Sequence, residues 1–81
     1  MTVRLQFFSR LREVAGSSHC ELEISDGATV ADLLTKLYAL TPELRSFDSS
    51  LLIGAGVEFV SRDYVVGEGE EISLMPPVQG G

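Results

Sequence analysis

The segment that begins at Thr29 carries the strongest periodic pattern of the chain and restricts the fold most. Its apolar residues recur at helical spacing and form one stripe, made of Val30, Leu33, Leu34 and Leu37 and extended by Leu40. Such a stripe predicts a helix with one face against a core. Thr29 followed by Asp32 resembles a capping box at its start. Pro42 ends the helix and, with Thr41 as a possible N-cap, opens a short turn through Leu44 and Phe47.

Short runs with strand character surround this helix. Val3, Leu5 and Phe7 alternate with polar residues, as do Cys20, Leu22 and Ile24, and residues 51–53, 57–60 and 72–75 form further short apolar runs. Between the first two strands, Ser9 as N-cap and Gly16 as a stop predict a short helix. The order is therefore β, α, β, α and three more β elements. It predicts an α+β fold in which one main helix packs on one face of a mixed sheet and a short extra helix follows strand one.

Size and charge favour binding over catalysis. The 81 residues suffice for one domain with a small core and leave little room for an enclosed active site. Twelve acidic residues against six basic ones give a net charge of −6. This balance argues against a nucleic-acid partner and suits a basic protein surface, although solubility alone explains it equally well.

Other candidate sites are weak. Gly54-Ala55-Gly56 lacks the third glycine, the lysine and the following helix of a nucleotide loop, so turn or bulge glycines are the better interpretation. His19 and Cys20 have no second His or Cys to complete a metal site, so we expect a loop residue and a strand core residue. Glu68, Glu70 and Glu71 predict a solvated hairpin, with contact to an activating enzyme as the alternative.

The chain lacks a signal-peptide layout and an apolar run long enough to span a membrane, and its single cysteine excludes an internal disulfide. We therefore expect a cytoplasmic protein with no membrane partner, no metal and no bound cofactor.

The C-terminal segment is the strongest functional candidate. We divide the chain into a domain of residues 1–75 and a tail of residues 76–81, which reads Pro76, Pro77, Val78, Gln79, Gly80 and Gly81. The two prolines favour an extended stalk, and residues without Cβ atoms fit a narrow channel. At ~3.3 Å per residue the tail reaches about 20 Å, enough to enter a partner's pocket. A frayed, functionless terminus is the alternative.

The chemistry of such a tail resides in the α-carboxylate of Gly81. Joining the carboxylate to AMP gives it a good leaving group, after which a sulfur donor yields a thiocarboxylate or an amine yields an amide. Neither step needs a catalytic side chain on this chain, because the partner supplies the phosphate-binding loop, the metal and the nucleophile. Leu74 and Met75, directly before the stalk, are candidate docking residues if they are exposed, and core packing explains them equally well.

The two ends of the chain resemble the small subunit of molybdopterin synthase, the MoaD family. The resemblance is carried by residues 5–16 (LQFFSRLREVAG) and 69–81 (GEEISLMPPVQGG), and by residues 29–34 (TVADLL) between them. The phenylalanine-rich first strand with its Leu-Arg-Glu helix, combined with a Pro-Pro-x-x-Gly-Gly ending, is specific. One departure is Ala55-Gly56, where many members carry Val-Asn.

The resemblance implies a β-grasp, ubiquitin-like fold and a sulfur-carrier cycle. An adenylyltransferase related to ubiquitin-activating enzymes would use ATP to adenylate Gly81, and a sulfurtransferase system would convert Gly81 to a thiocarboxylate. The tail would then enter the large synthase subunit and give sulfur to cyclic pyranopterin monophosphate, which forms the molybdopterin dithiolene. The implied assembly is a heterotetramer in which the large subunit holds the catalytic residues.

Three alternatives stay open. A thiamine-pathway sulfur carrier shares the fold and the Gly-Gly end, but such carriers are typically shorter and lack the Pro-Pro stalk. A ubiquitin-like protein modifier would use the same activated Gly81 to form isopeptide bonds. A non-covalent binding module would have an inert tail.

Overall fold

A computed structural model describes residues 1–77 of the chain. These residues form strands β1 to β5, helices α1 and α2 and one 3₁₀ segment. In chain order the elements are β1 (Thr2–Phe7), α1 (Arg10–Ala15), β2 (His19–Glu23), α2 (Val30–Leu40), the 3₁₀ segment (Pro42–Ser50), β3 (Leu52–Ala55), β4 (Glu58–Phe59) and β5 (Glu71–Met75).

The strands form one mixed sheet with β5 at its centre. The order across the sheet is β2-β1-β5-β3-β4. β1 and β5 run parallel, with Leu5 beside Ile72, and the other neighbours are antiparallel. The first and last strands of the chain are therefore direct neighbours, and the tail leaves from the middle of the sheet.

One face of the sheet packs against α2, as the helical stripe predicts. The core joins alternate residues of β1 and β5, such as Leu5 and Ile72, to α2 residues such as Leu33. The capping box is complete: the Asp32 amide donates to the Thr29 hydroxyl over 3.3 Å, and the Thr29 amide donates to the Asp32 carboxylate over 3.0 Å.

Leu40 does not extend the buried stripe, and that part of the prediction is wrong. Its side chain is 64% exposed, whereas Tyr38 is buried instead. The core-facing arc of the helix takes in Tyr38 on one side, and Leu40 lies just outside the arc on the other.

The corner between β1 and α1 differs from the expected cap. Ser9 holds the N-cap position, but its side chain makes no capping hydrogen bond, and its backbone has φ 53° and ψ −130°. A positive φ is uncommon for a residue other than glycine and costs conformational energy. At the other end, Gly16 takes the predicted left-handed conformation, with φ 83°.

The boundaries of β2, β3 and β4 also differ from the prediction. His19 begins β2 rather than lying in a loop, and Cys20 is only half-buried because β2 is an edge strand. Gly54 and Ala55 belong to β3, so the hairpin turn falls at Gly56, with φ 64°. Glycine takes this left-handed region without the steric penalty of a Cβ atom, so it suits the turn.

Candidate functional site

The root of the tail lies where three strand ends meet. β5 ends at Met75, beside the end of its parallel neighbour β1 and the start of its antiparallel neighbour β3. The Phe8 amide continues the β1–β5 ladder by donating to the Leu74 carbonyl oxygen over 3.1 Å. The tail therefore leaves between the corner that follows β1 and the corner that precedes β3.

The stalk, Pro76 and Pro77, is half-buried and forms part of the wall of an open cleft between these two corners. The open cleft measures about 470 Å³ and is lined by Ser9 and Arg10 on the β1 side and by Phe47 and Ser50 at the end of the 3₁₀ segment. Proline fixes φ and has no amide hydrogen to satisfy, so the chain leaves the sheet here without an unpaired donor. The first two residues of the tail are thus partly buried against the domain.

Val78, Gln79, Gly80 and Gly81 lie outside the described residues, so the roles assigned to them stay predictions. The two candidate docking residues, Leu74 and Met75, differ in exposure. Leu74 is 1% exposed and belongs to the core, so its side chain does not meet the condition of exposure on which a docking role depends. Met75 points to the opposite face of the sheet and is half-exposed.

An apolar patch lies on the open face of the sheet, next to the stalk. It consists of Phe8, Val57, Phe59 and Met75 around Gly54, and together they line a shallow hollow of about 210 Å³. Phe59 is 71% exposed and Val57 is fully exposed. A Cβ on Gly54 would lie 3.3 Å from the Met75 Cε, so glycine lets the methionine lie flat across β3.

Sequence reasoning missed this patch, although a signal was present. Along β1 the outward positions are polar at Arg4 and Gln6, and the next one is Phe8. An apolar residue at an outward position breaks the alternation that a half-solvated strand requires. Such a break next to the root of the tail indicates an interaction surface.

The rest of the open face is charged. Arg4 of β1 lies opposite Glu21 of β2 and beside Glu71 of β5 in the sheet register. Opposite charges at neighbouring positions are typical of a solvated face. The apolar patch is therefore confined to the end from which the tail leaves.

The acidic cluster divides into one structural and two exposed members. The Glu70 carboxylate accepts hydrogen bonds from the Gly67 amide and the Tyr64 hydroxyl, each over 2.6 Å, and closes the turn before β5. The bond to Glu70 raises the pKa of the Tyr64 hydroxyl. Glu68 and Glu71 are exposed, as a solvated turn predicts.

Side chains suited to metal or nucleophilic chemistry are sparse. Within residues 1–77 no group of three or more His, Cys, Asp and Glu side chains is arranged to hold a metal ion. Burial raises the pKa of the Cys20 thiol, which keeps it protonated and unreactive at neutral pH. No helix in this part of the chain is long and apolar enough to cross a membrane.

Comparison with known proteins gives concordant matches. The ThiS family model matches residues 5–81. A molybdopterin synthase sulfur carrier subunit of Chlamydomonas reinhardtii is 31% identical over 83 residues, which cover 100% of both chains. Small archaeal modifier protein 1 of Haloferax volcanii is 32% identical over 85 residues, which cover 94% of this chain and 97% of the relative.

The structural matches cover the whole chain. The crystal structure of the Haloferax volcanii modifier, SAMP1, superposes with a TM-score of 0.87 at 30% identity over 100% of both chains. A chain of the complex of subunits 1 and 2 of molybdopterin-converting factor from Helicobacter pylori shares the fold, with a TM-score of 0.72 at 21% identity over 100% of both chains. These findings confirm the resemblance carried by the two ends of the sequence and the predicted β-grasp fold.

Proposed function

Because the chain belongs to the ThiS family, we propose that it is the sulfur carrier subunit of a molybdopterin synthase and that Gly81 carries the sulfur. The observation that carries the proposal is the arrangement of side chains at the root of the tail. A half-buried stalk, which follows the central strand and lines an open cleft, lies beside an exposed apolar patch. This arrangement gives a docking surface next to the point from which the tail leaves the domain, as delivery of a C-terminal group requires.

Activation uses two chemical steps at the chain end. The Gly81 carboxylate attacks the α-phosphorus of ATP, which forms an acyl-adenylate and releases pyrophosphate. A sulfur nucleophile, supplied as a persulfide by a sulfurtransferase system, then displaces AMP from the carbonyl carbon, and reductive cleavage of the resulting S–S bond by a thiol leaves the thiocarboxylate. A ubiquitin-activating-type adenylyltransferase binds the ATP, so this chain needs no bound cofactor.

Delivery requires the tail to enter the large synthase subunit. The apolar patch docks on that subunit and directs the tail into its active site, where the thiocarboxylate sulfur attacks cyclic pyranopterin monophosphate. A C–O bond of that substrate breaks as the new C–S bond forms, and water then cleaves the thioester, which leaves the sulfur on the pterin and releases the Gly81 carboxylate. A second loaded carrier replaces a second oxygen in the same way and completes the dithiolene. The Helicobacter pylori complex of subunits 1 and 2 supports such a pairing, and a large-subunit dimer with one carrier at each end gives a heterotetramer. We place this cycle in the cytoplasm.

Intact mass spectrometry tests the proposal. The carrier is incubated with ATP, the adenylyltransferase and a sulfur source, and we expect a mass gain equal to the replacement of one oxygen by sulfur, localised to Gly81. A variant that lacks Gly81 is the matched control. It should retain the fold and large-subunit binding but lose the mass gain and the formation of molybdopterin. Molybdopterin formation by this deletion variant would overturn the proposal.

The second candidate function is protein modification. It is favoured by the relative named small archaeal modifier protein 1, which matches over nearly the whole chain. An adenylated Gly81 that meets a lysine amine rather than a sulfur donor forms an isopeptide bond and releases AMP. Immunoblots of cells that express the tagged carrier separate the two functions. Higher-mass conjugates that disappear on deletion of Gly81 support modification, and their absence under saturating activation excludes it.

A further inference from the structure

One edge of the sheet is open. β2 pairs with β1 on one side, and no strand of residues 1–77 pairs with its other side. The Phe7 amide donates to the Ser18 carbonyl oxygen over 2.8 Å just before β2 begins. The Ile24 amide donates to the Met1 carbonyl oxygen over 2.8 Å just after β2 ends. Bonded residues alternate along an antiparallel ladder, so the even-numbered residues from 18 to 24 bond to β1.

The odd-numbered residues of β2 therefore point their backbone groups out of the sheet. Two side chains cap part of this edge: the Ser17 hydroxyl donates to the His19 carbonyl oxygen over 2.8 Å, and the Lys36 ammonium donates to the Glu23 carbonyl oxygen. Within residues 1–77 the amide and the carbonyl oxygen of Glu21, between these caps, have no hydrogen-bond partner. The edge thus offers the Glu21 carbonyl oxygen and the amides of residues 19, 21 and 23.

The geometry of β2 allows a further strand to pair with it. Natural proteins keep edge strands from pairing with bulges, with prolines or with charged side chains that point inward. All five residues of β2 pair with β1 in unbroken register, and none of them is proline. The side chains that point inward, those of Cys20 and Leu22, carry no charge. An added strand could therefore bind this edge through main-chain hydrogen bonds.

The charges at the edge determine which strand fits. The Glu21 and Glu23 side chains are exposed on the open face. Among the five β1 residues opposite β2, Arg4 alone is basic, and it also lies beside Glu71. Two copies of the chain paired through the full length of β2 would place Glu21 opposite Glu21, and like charges directly opposite each other are destabilising. A strand with lysine or arginine at these positions would instead form ion pairs.

The helix side of the edge favours apolar side chains. Cys20 is only half-buried there. Lys36 marks the flank of α2 that reaches β2, since its ammonium caps the Glu23 carbonyl oxygen. Leu40 lies one turn further along the same flank and is 64% exposed. Apolar side chains of an added strand that point toward α2 would remove Leu40 and Cys20 from water.

We propose that the free edge of β2 binds an extended segment of a partner protein, in which basic side chains beside Glu21 and Glu23 alternate with apolar side chains beside Leu40. This inference goes beyond the carrier function and does not depend on sulfur chemistry at Gly81. β2 and β4 are opposite edges of the sheet. The segment therefore occupies a surface separate from Phe59 of the apolar patch.

Hydrogen exchange of the full chain, followed by NMR, tests the pairing. The probe is an acetylated and amidated peptide of eight residues in which lysine and valine alternate. In the free protein we expect fast exchange at the outward amides of His19, Glu21 and Glu23 and slow exchange at Cys20 and Leu22, which bond to β1. With free peptide at about ten times its dissociation constant, the three outward amides should slow roughly tenfold.

The exchange data have clear contrary outcomes. A peptide that does not bind, or that binds without protecting the three outward amides, would overturn the proposal. Protection that already exists in the free protein and grows with its concentration would also overturn it, because a second copy of the chain would then cover the edge. A peptide with glutamate in place of lysine is the control for charge, and it should bind at least roughly tenfold more weakly.

Two methylated peptides separate strand pairing from simple attraction of charge. One carries N-methyl groups on all its lysines and the other on all its valines, so each has one blocked edge and the same net charge. Only one edge of an added strand can face β2 while its basic side chains lie beside Glu21. One of the two peptides should therefore lose binding and the other should retain it. Equal dissociation constants would overturn the proposal.

Protein variants test the same contacts from the other side. Glu21→Pro removes an amide that β1 does not use, and proline is tolerated at such edge positions. It should raise the dissociation constant of the lysine peptide at least roughly tenfold, whereas Glu21→Gln, which keeps the amide, should raise it only a few-fold. Leu40→Asn should raise it several-fold, because its apolar cover is lost.

Circular dichroism establishes that each variant is folded before binding is compared. If Glu21→Pro does not fold, the two methylated peptides on the wild-type protein decide whether the backbone of β2 takes part. Wild-type affinity in both Glu21→Pro and Leu40→Asn would overturn the proposal.

Discussion

The two ends of the open sheet face differ in polarity. At the end away from the tail, Arg4 lies between Glu21 and Glu71, and the face is charged as a solvated sheet should be. At the tail end, Phe8, Phe59 and Met75 occupy outward positions and form an apolar patch. The folding of one small domain does not require this difference. The difference indicates that one end of the face is solvated and that the other end is an interaction surface.

The largest effect is expected on the core side of the sheet, at the residue that precedes Met75 in β5. Leu74 and Met75 are chain neighbours that point to opposite sides of the sheet. Leu74→Ala opens a cavity in the core and should lower the free energy of unfolding by about 2–5 kcal/mol. Met75→Ala should cost far less stability but weaken binding to the large subunit. Urea unfolding of both variants measures the contrast, and equal losses would contradict the assignment of the two faces.

The next effect tests the patch directly. Phe59→Glu places a charge in the apolar patch at a side chain that is 71% exposed, so the domain should remain folded. We expect the dissociation constant for the large subunit to rise roughly 100-fold, since central aromatic residues carry much of the binding energy of an interface. Calorimetry measures this change. Glu21→Gln, in the charged half, is the control and should change affinity only a few-fold.

A smaller effect is expected at Gly54, which lies beneath Met75. In Gly54→Ala the new Cβ would lie 3.3 Å from the Met75 Cε, so the methionine must move by a few tenths of an ångström. Stability should change by less than about 1 kcal/mol, because alanine also reduces the entropy of the unfolded chain. Affinity for the large subunit should fall a few-fold. An affinity equal to that of the wild type would mean that the shape of the patch near β3 does not matter for docking.

The smallest effect concerns Asp48 on the helical side of the molecule, away from both halves of the open face, where Tyr38 and Arg62 donate hydrogen bonds to its carboxylate. Hydrogen bonds from Tyr38 and then from Arg62 lower the pKa of Asp48 in the folded protein. The carboxylate therefore adds stability at neutral pH, and this contribution is lost as the pH falls from the ordinary Asp range through the lowered pKa. Because the pair is half-exposed, the effect should stay below about 1 kcal/mol. Urea unfolding of the wild type and Asp48→Asn should converge in acid, and a constant difference would contradict the assignment.

The sequence predicts the architecture well because its signals are local. The stripe of α2 and the alternation of β1 each follow from residues a few positions apart. The same reasoning fails at Leu40, which lies just outside the core-facing arc of α2, and at Ser9, whose backbone follows the corner between β1 and α1. It also begins the hairpin turn too early, at Gly54 instead of Gly56. The two glycines around Ala55 do not reveal which of them lies in the strand.

The candidate site is predictable only in part, for a similar reason. The two prolines are visible as a stalk, whereas the function assigned to the glycines that follow stays a prediction. The apolar patch joins Phe8, which follows β1, to residues of β4 and β5, and one hydrogen-bonded cluster joins Tyr38, Asp48 and Arg62, which are separated by ten and fourteen positions. No local pattern brings such residues together, so they emerge only from the packed fold.

The central position of β5 has a mechanical consequence for a chain end that is pulled. A force along the tail acts along the axis of β5, which is bonded to β1 on one side and β3 on the other. Ladder hydrogen bonds cross between strands, so such a force loads both ladders in shear instead of opening one pair at a time. An edge strand in the same place would be held by a single ladder. Two ladders therefore share the load when the domain is drawn back from a tight pocket by its last residues.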